Sequence, residues 1–432
     1  MPEINPRKVA LSVLVKLEKS DGYSAILLDS ALKKSTLSGS DAAFVTSLVL
    51  GVVERRITLD YYISSLSSIP LEKLDADVRN ILRMGIYQMA FMRVPSHAAV
   101  NECVDISTKR GKGFVNAILR NYDRKKDDIK LPDEPTENLS VAYSVPAWLC
   151  EKLAGEYGRE KTEEILSAYN EIPLVSLRVN TLKTDRDALL SKLVGAGYDA
   201  KASEISPVGI EVENAGAVAK IPGFDEGEFF VQDVASQVCV AALGMSAGES
   251  FLDMCSAPGS KSFGAAMYMK NEGKILSADL HASKLSLIRS GAVRLGINII
   301  EAVEADARTY NSEFAENFDA VLCDVPCSGY GVVAKKPEIR YKKPENVELL
   351  PDLQYEILEN GAKYVKRGGR LVYSTCTILR EENFSNIEKF LAGHDDFEVE
   401  KFEFGGVEYN GLTQFLPSRE HDGFFIAKLV RK

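Results

Sequence analysis

Phe251-Leu252-Asp253-Met254-Cys255-Ser256-Ala257-Pro258-Gly259-Ser260-Lys261 reads as a short buried strand that breaks into a tight Gly/Pro turn and restarts as a helix. The unit then repeats toward the carboxyl end. Apolar runs at 274–278, 299–303, 318–323 and 370–374 are each separated by a helical stretch. Strands alternating with helices give a mostly parallel sheet covered on both faces, and open sheets of this kind bind ligands beyond the carboxyl ends of their strands. Those ends carry Asp279, Asp306 and Asp324, then Cys327 in Asp324-Val325-Pro326-Cys327-Ser328-Gly329 and Cys376 in Tyr373-Ser374-Thr375-Cys376-Thr377. Two thiols and a series of carboxylates are therefore expected at one cleft.

The turn narrows the choice of ligand. It lacks GxGxxG, which leaves a nicotinamide dinucleotide unsupported, and it lacks GxxxxGK[ST], which excludes a P-loop. An acid closing the second strand suits a ribose, because one carboxylate accepts from both hydroxyls. Asp279 holds that position.

Upstream, residues 5–127 read as helix throughout. Asn5-Pro6 is a cap followed by a first-turn proline, and Val9, Val13 and Leu17 with Ala10 and Leu14 form a stripe at four-residue spacing. Further stripes are Phe44/Leu48/Val52, capped by Ser40, then Val78/Leu82/Ile86/Met89 and Val115/Ile118/Leu119/Tyr122. These apolar residues read as the core of a helical bundle. The charged, proline-bearing stretch from Asp123 to Pro135 reads as a linker. Beyond it Val175, Leu177 and Val179 alternate with Ser176, Arg178 and Asn180, ahead of a helix start at Thr184-Asp185-Arg186-Asp187, so a small α+β insert is expected. The expected domains are 1–130, 131–230 and 231–432.

Composition sets the class. With 432 residues, 45% hydrophobic and 26% charged, the chain can bury its own cores. Its seven cysteines are scattered without CxxC or CxxH spacing, and no HxxxH occurs, so neither a disulfide framework nor a metal site is expected. No apolar run of about 18 residues and no leader-like core occur, which points to a cytoplasmic protein without membrane contact. Net charge is −10, yet residues 1–130 hold 20 Lys+Arg against 15 Asp+Glu while the remainder holds 32 against 47. A basic end on an acidic body suits a polyanion contacted at that end.

These residues resemble the S-adenosylmethionine-dependent RNA 5-methylcytosine methyltransferases, in the Sun/Fmu (RsmB-type) branch that acts on small-subunit ribosomal RNA. The family's cofactor turn, typically CAAPGGKT, stands here as Cys255-Ser256-Ala257-Pro258-Gly259-Ser260-Lys261-Ser262. Val94-Pro95-Ser96-His97-Ala98-Ala99-Val100-Asn101-Glu102 and Phe114-Val115-Asn116-Ala117-Ile118-Leu119-Arg120 resemble the NusB RNA-binding fold carried by this branch. Phe230-Val231-Gln232-Asp233-Val234-Ala235-Ser236-Gln237 and Asp422-Gly423-Phe424-Phe425-Ile426-Ala427 also look like the family. The resemblance implies an α/β Rossmann-like class I S-adenosylmethionine-dependent methyltransferase domain, preceded by an all-α NusB-like bundle and a small α+β insert. It implies S-adenosylmethionine held by Cys255, Ser256, Ala257, Pro258, Gly259, Ser260 and Lys261, with Asp279 at the ribose, Asp306 at the adenine amine and Asp324 at the active centre. Ribosomal RNA is the implied partner, and a monomer is expected. Three positions depart from the pattern: Ser260 replaces a second glycine, Ala334 a common basic residue and Ser418 a usual histidine.

The chemistry accounts for two cysteines. Carbon 5 of cytosine is a weak nucleophile until a thiolate adds at carbon 6 and makes it enamine-like, which splits one hard step into two. A donor to ring nitrogen 3 must then take up the developing charge, a task Asp324 can perform by sharing a proton. A second group must help remove the proton on carbon 5 and expel the sulfur. By resemblance Cys376 is the nucleophile and Cys327 assists release. DNA cytosine methyltransferases instead use a Pro-Cys cysteine, and Pro326-Cys327 keeps that reversal open. Cys103, Cys150, Cys239 and Cys323 are assigned to packing. Lys335, Lys336, Arg340 and Lys342 could hold RNA phosphates, and Tyr341 could stack on a base or pack. The target base must be reached from both faces, so an unstacked or single-stranded cytosine is expected. A transfer-RNA substrate, or a non-catalytic RNA-binding or assembly factor on a methyltransferase fold, remains the alternative.

Overall fold

A computed structural model describes residues 4–19 and 24–432; Met1-Pro2-Glu3, the start of the stretch read for a leader, lie outside them. The chain forms two compact units, Met1–Asn170 with Val333–Tyr341, and Glu171–Val332 with Lys342–Lys432.

In the first unit the helical spacings become α1 (Pro6–Lys19), α2 (Ser24–Lys34), α3 (Gly39–Glu54), α4 (Arg56–Leu66), α5 (Ala76–Ala90), α6 (Ser96–Ile106) and α7 (Lys112–Lys125). They are followed by α8 (Pro135–Tyr143), α9 (Ala147–Tyr157) and α10 (Arg159–Ala168). Asn5 caps α1, its Oδ1 accepting from the Arg7 amide at 2.9 Å, and Pro6 occupies the first turn, where a missing N–H costs nothing. The cap of α3 is Ser38 rather than the expected Ser40. Ser38 keeps an extended backbone and its Oγ accepts from the Asp41 amide at 3.2 Å, whereas Ser40 is already inside the helix. The stripes pack as read: Val13, Leu14, Leu48, Val52, Leu82, Ile86, Val115 and Leu119 share one buried cluster. Arg83 is buried among them with its charge matched, donating to Asp60 at 2.6 and 2.7 Å and pairing with Glu18, which also binds Arg79. A buried cation is tolerated when it is paired in this way.

The second unit begins with a four-stranded antiparallel sheet of β1 (Val175–Val179), β2 (Asp199–Ala202), β3 (Gly209–Glu213) and β4 (Phe229–Val231), in the order β2-β3-β1-β4. Helix α11 (Arg186–Gly195) packs on it through Leu189 and Leu193, and is capped by Asp185 at the expected start. After α12 (Val234–Ala242) the large sheet follows: β5 (Ser250–Asp253), α13 (Ser260–Tyr268), β6 (Lys274–Asp279), α14 (Ala282–Leu295), β7 (Ile300–Glu304) and β8 (Phe318–Asp324). Next come α15 (Pro344–Glu348), α16 (Leu350–Ala362), β9 (Val365–Thr375) and α17 (Phe384–Gly393). The chain closes with β10 (Phe397–Val399), the hairpin β11 (Phe402–Phe404) and β12 (Val407–Tyr409), β13 (Leu412–Phe415) and β14 (Phe424–Arg431).

The order β10-β14-β9-β8-β5-β6-β7 runs parallel from β9 to β7, with β14 antiparallel beside β9 and β13 paired to β14. The expected Rossmann-like arrangement is thus present. The chain winds outward from β5 on both sides, and such a reversal leaves a crevice between the carboxyl ends of β5 and β8. One apolar cluster packs α12, α13 and α14 on one face of the sheet, and a second packs α16 and α17 on the other.

Candidate active site

Strands β8 and β9 lie side by side in parallel, with Asp324 in register with Ser374. That register brings together the loops leaving the two strands, and with them two cysteines far apart in sequence. Cys327 Sγ lies 3.2 Å from Cys376 Sγ, both half-buried and neither in a disulfide. The pair belongs to a polar scaffold. The hydroxyls of Ser328 and Thr377, each one residue past a cysteine, hold each other at 2.6 Å. The Gly331 amide donates to the Cys376 carbonyl at 2.9 Å. A side chain at 331 would meet the Gly423 carbonyl oxygen at 1.8 Å, so only glycine allows this approach. The hydrogen bond to Cys376, and then burial, push the Cys327 thiol well above the ordinary thiol range.

Asp324 sits at the mouth of the same crevice. Its Oδ2 accepts from Lys261 Nζ at 2.6 Å and its Oδ1 from Ser374 Oγ at 2.7 Å. Burial opposes charge on Lys261, but Asp324 outweighs it and holds the ammonium above the ordinary lysine range. The Phe424 ring lies 5.1 Å from that ammonium, which places the Asp422–Ala427 motif beside the site. Beneath the turn, fully buried Asp253 accepts from Ser262 Oγ at 2.7 Å, and desolvation raises its carboxyl to about 7.

The cofactor turn runs from the end of β5 into α13. Gly259 adopts φ 107°, and a Cβ there would press on the Phe263 ring at 2.6 Å. Ser260 is the first residue of α13, outside the left-handed region, so the departure from a second glycine carries no backbone strain. Gln232, from the Phe230–Gln237 motif, donates to the Ser260 carbonyl at 3.1 Å and accepts from Arg178, anchoring the turn to the small sheet. Asp279, at the end of β6, is buried, and among the described residues its carboxylate accepts from the Ala257 and His281 amides at 3.2 and 3.0 Å, with Lys284 at 3.8 Å. Its oxygens keep lone pairs for a diol. Asp306, at the end of β7, is gripped by Arg308 at 2.8 and 3.1 Å, which lowers its pKa. A cavity of about 390 Å³ opens beside these strand ends, lined in part by Leu252, Met254, Ala278, Ala305 and Asp306. Apolar walls, the Asp306 carboxylate and a volume in the usual ligand range fit a nucleoside, and Asp279 follows directly on the lining residue Ala278. Cys255 belongs to the turn and packs against the second apolar cluster, where burial drives its thiol well above the ordinary range.

The basic segment after the Pro-Cys loop divides. Lys335 and Lys336 are exposed, as a phosphate contact requires. Arg340 is not available for one: it is fully buried in the first unit, where Nη1 and Nη2 donate to the carbonyls of Glu54, Tyr143, Ser144 and Tyr169 and to Asn170 Oδ1. Tyr341 packs, its hydroxyl donating to the Val53 carbonyl at 2.7 Å and its ring covered by Arg56 at 3.6 Å. Lys342 is half-buried and donates to the Ser328 and Cys327 carbonyls at 2.8 and 3.4 Å, so its ammonium fastens the cysteine loop. Ala334 offers no charge at its position. Ser418 uses its hydroxyl to accept from the Glu420 and His421 amides, holding its own turn. Cys103, Cys150, Cys239 and Cys323 are all buried, as assigned. Sequence reading missed Glu382, Gln354, Ser328 and Thr377, the polar residues that fix the two loops. Among the described residues no cluster of metal-ligating side chains occurs, and no helix is long and apolar enough to cross a membrane.

Comparison with known proteins gives matching results along the whole chain. Residues 240–430 match a family model described as 16S rRNA methyltransferase RsmB/F, residues 4–124 the NusB family, and residues 145–219 a ferredoxin-like domain of RsmF/B-like methyltransferases. A Bacillus subtilis protein named probable ribosomal RNA small subunit methyltransferase B is 38% identical over 100% of both chains. A Synechocystis protein of the same name is 36% identical over 99% of this chain and 100% of its own. Among solved structures, that of PH0851 superposes with TM-score 0.82 at 28% identity over 99% of both chains. A methyltransferase homolog from Pyrococcus horikoshii gives 0.61 at 26% identity, covering 70% of this chain and all of its own.

Proposed function

Because this chain belongs to the RsmB/F family of 16S rRNA methyltransferases, we propose that it methylates carbon 5 of a cytosine in small-subunit ribosomal RNA through a covalent bond between Cys376 and carbon 6. The observation that carries this reading is the 3.2 Å approach of the Cys327 and Cys376 sulfurs beside the Lys261–Asp324 pair. A structural protein has no use for two half-exposed thiols in contact.

Cys376 attacks as thiolate. Its sulfur forms a bond to carbon 6, and the electrons of the carbon 5–carbon 6 double bond move toward carbon 5 and the ring nitrogen. Lys261 donates to Asp324 across 2.6 Å, and this pair presents the hydrogen that takes up charge at nitrogen 3. S-adenosylmethionine, when bound, supplies a methyl group on a cationic sulfur. Cys255 to Lys261, Asp279 and Asp306 would hold it, the first by backbone, Asp279 at the ribose and Asp306 at the adenine amine. Cys327 keeps its proton beside Cys376, which stabilises the neighbouring sulfur as an anion before attack and again when it leaves. Between those two moments Cys327 gives its proton to solvent and, as thiolate, takes the proton from carbon 5, whose electrons re-form the carbon 5–carbon 6 double bond as the sulfur–carbon 6 bond breaks and Cys376 leaves as thiolate, nitrogen 3 returning its hydrogen. The target must be unstacked to be reached from both faces, with Lys335 and Lys336 at the phosphates. The three-part division at 130 and 230 would then separate RNA capture by the basic NusB-like bundle from the chemistry.

The test uses denaturing gels and methyl transfer together. Cys376→Ala is expected to abolish both turnover and adduct, and Cys327→Ala to trap a protein–RNA adduct that survives denaturant. The reverse pattern would exchange the roles, and bisulfite mapping of small-subunit RNA after gene deletion identifies the cytosine.

A further inference from the structure

A carboxyl group with no cation beside it lies fully buried behind the two cysteines. Glu382 Oε2 accepts from the Ser328 amide at 2.8 Å and from Gln354 Nε2 at 2.7 Å. The same Gln354 nitrogen donates to the Pro326 carbonyl at 3.1 Å. The residues on either side of Cys327 are therefore both tied to Glu382, one directly and one through Gln354. The tie extends to the other loop, because Ser328 Oγ and Thr377 Oγ1 hold each other at 2.6 Å next to Cys376. Glu382 is itself fixed by its backbone, whose carbonyl accepts from Tyr373 Oη at 2.6 Å on strand β9.

Burying a carboxyl without a cation costs several kcal/mol unless hydrogen bonds offset it. Burial accordingly raises its pKa, and the Ser328, Gln354 and Thr377 contacts act against that rise. An apolar residue would fill this space more cheaply if filling space were its purpose. What the carboxyl adds is two directed acceptor bonds that set the backbone on both sides of one cysteine.

We propose that Glu382 is the positioning residue for Cys327: it fixes the Pro326–Ser328 backbone so that the Cys327 thiol stays against Cys376 while the RNA adduct is resolved. The inference rests on the cysteine roles given above. Cys376 sits at the end of β9, whose pairing with β8 and β14 does not depend on Glu382, so attack survives the loss of Glu382 and resolution does not.

The test compares Glu382→Ala and Glu382→Gln in the full-length enzyme, with small-subunit ribosomal RNA and S-adenosylmethionine. Glu382→Ala is expected to raise the denaturant-resistant adduct at least about tenfold over wild type and to lower kcat by about 10- to 100-fold, with KM for RNA within about twofold. Glu382→Gln keeps an acceptor for the Ser328 amide and recovers most of the turnover. Wild-type adduct levels in Glu382→Ala overturn the proposal, as does loss of methyl transfer without adduct in a variant that melts as the wild type does. If Glu382→Ala does not fold, Glu382→Asp, which withdraws the carboxyl by one bond, carries the same expectation. Cys327→Ala run in parallel separates the two levels of inference. If it forms no adduct, the cysteine roles have failed; if it does and the Glu382 variants do not, only the positioning role has failed.

Discussion

Replacing Arg340 by methionine would keep most of the side chain's bulk and remove its charge and donors. Arg340 makes five contacts at 2.8 to 3.3 Å, and four of the acceptors are backbone carbonyls at the carboxyl ends of α3, α8 and α10. Those are the positions where helices leave carbonyls unsatisfied and where a cation is favoured. A buried acceptor that loses its donor costs about 1–3 kcal/mol, and each helix end loses roughly 0.3–1 kcal/mol of charge–dipole attraction. Two effects offset the loss: water can enter the space, and the guanidinium no longer has to be desolvated, a cost visible in its lowered pKa. The net expectation is about 3–5 kcal/mol, the range for breaking a buried charged network. At about 2–4 °C per kcal/mol, the melting temperature of the first unit falls by about 10 °C in scanning calorimetry. Arg340→Lys recovers only part, because one ammonium cannot reproduce the planar fork. A methionine variant that melts within about 2 °C of wild type but binds ribosomal RNA less tightly would refute this reasoning and return Arg340 to a phosphate.

Three further outcomes are expected. Asp279→Asn removes the charge but not the size of the group at the end of β6, and should weaken S-adenosylmethionine binding about tenfold in calorimetric titration; an unchanged Kd removes Asp279 from the ribose. Gly331→Ala forces a methyl into the Gly423 carbonyl at 1.8 Å and shifts the carbonyl-bonded Cys376 loop, so kcat should fall more than about tenfold with a smaller change in RNA KM; wild-type turnover would show that the loops yield easily. Asp253 has a folded pKa of about 7 against 3.8, so the unfolded chain ionises first and stability is lost as pH rises from about 4 to 7. The melting temperature of Asp253→Asn relative to wild type should therefore climb between about pH 5 and pH 8, by an amount equivalent to roughly 2–3 kcal/mol, and a flat difference contradicts it.

Much of the molecule could be read from local chemistry, and what could not had a common cause. Periodicity and turn residues located β5 to β9 and the helices between them because each element buries one face and ends on a polar group; the exception is the link from β7 to β8, where the expected helix is only a short turn at Ser312–Phe314. The acids at 279, 306 and 324 and the cysteines at 327 and 376 stood out because they sit where strands stop. Glu382 did not, because Arg380-Glu381-Glu382-Asn383 reads as a solvated charged turn. Three-dimensional packing alone distinguishes Glu381, on one side of it, from a carboxyl sealed under two loops. Arg340 was misread for the same reason: within Lys335-Lys336-Pro337-Glu338-Ile339-Arg340-Tyr341-Lys342-Lys343 every cation has the same local character. Only the convergence of three helix ends selects one for burial. Ser38 and Ser40 differ in no local property either, and the cap goes to whichever lies just outside the first turn.

The meeting of the two thiols is a consequence of topology. Parallel neighbours leave a sheet at the same edge about 4.8 Å apart, and the cysteines, 49 positions apart in sequence, are separated by α16, the crossover that makes β8 and β9 parallel. Any residues at these two strand ends would be close. Closeness alone is symmetric, however, and a symmetric pair does not say which sulfur attacks. The asymmetry lies in the supports. Cys376 is carried by a strand paired on both sides, whereas Cys327 hangs on a loop whose backbone is set by Glu382, Gln354 and Lys342. A nucleophile that must survive bond formation and rupture gains from the rigid mount, and a group that acts once the adduct exists can sit on a loop held by side chains. That division predicts that changes among the supports of the Cys327 loop slow release of the RNA, while changes in β9 slow its capture.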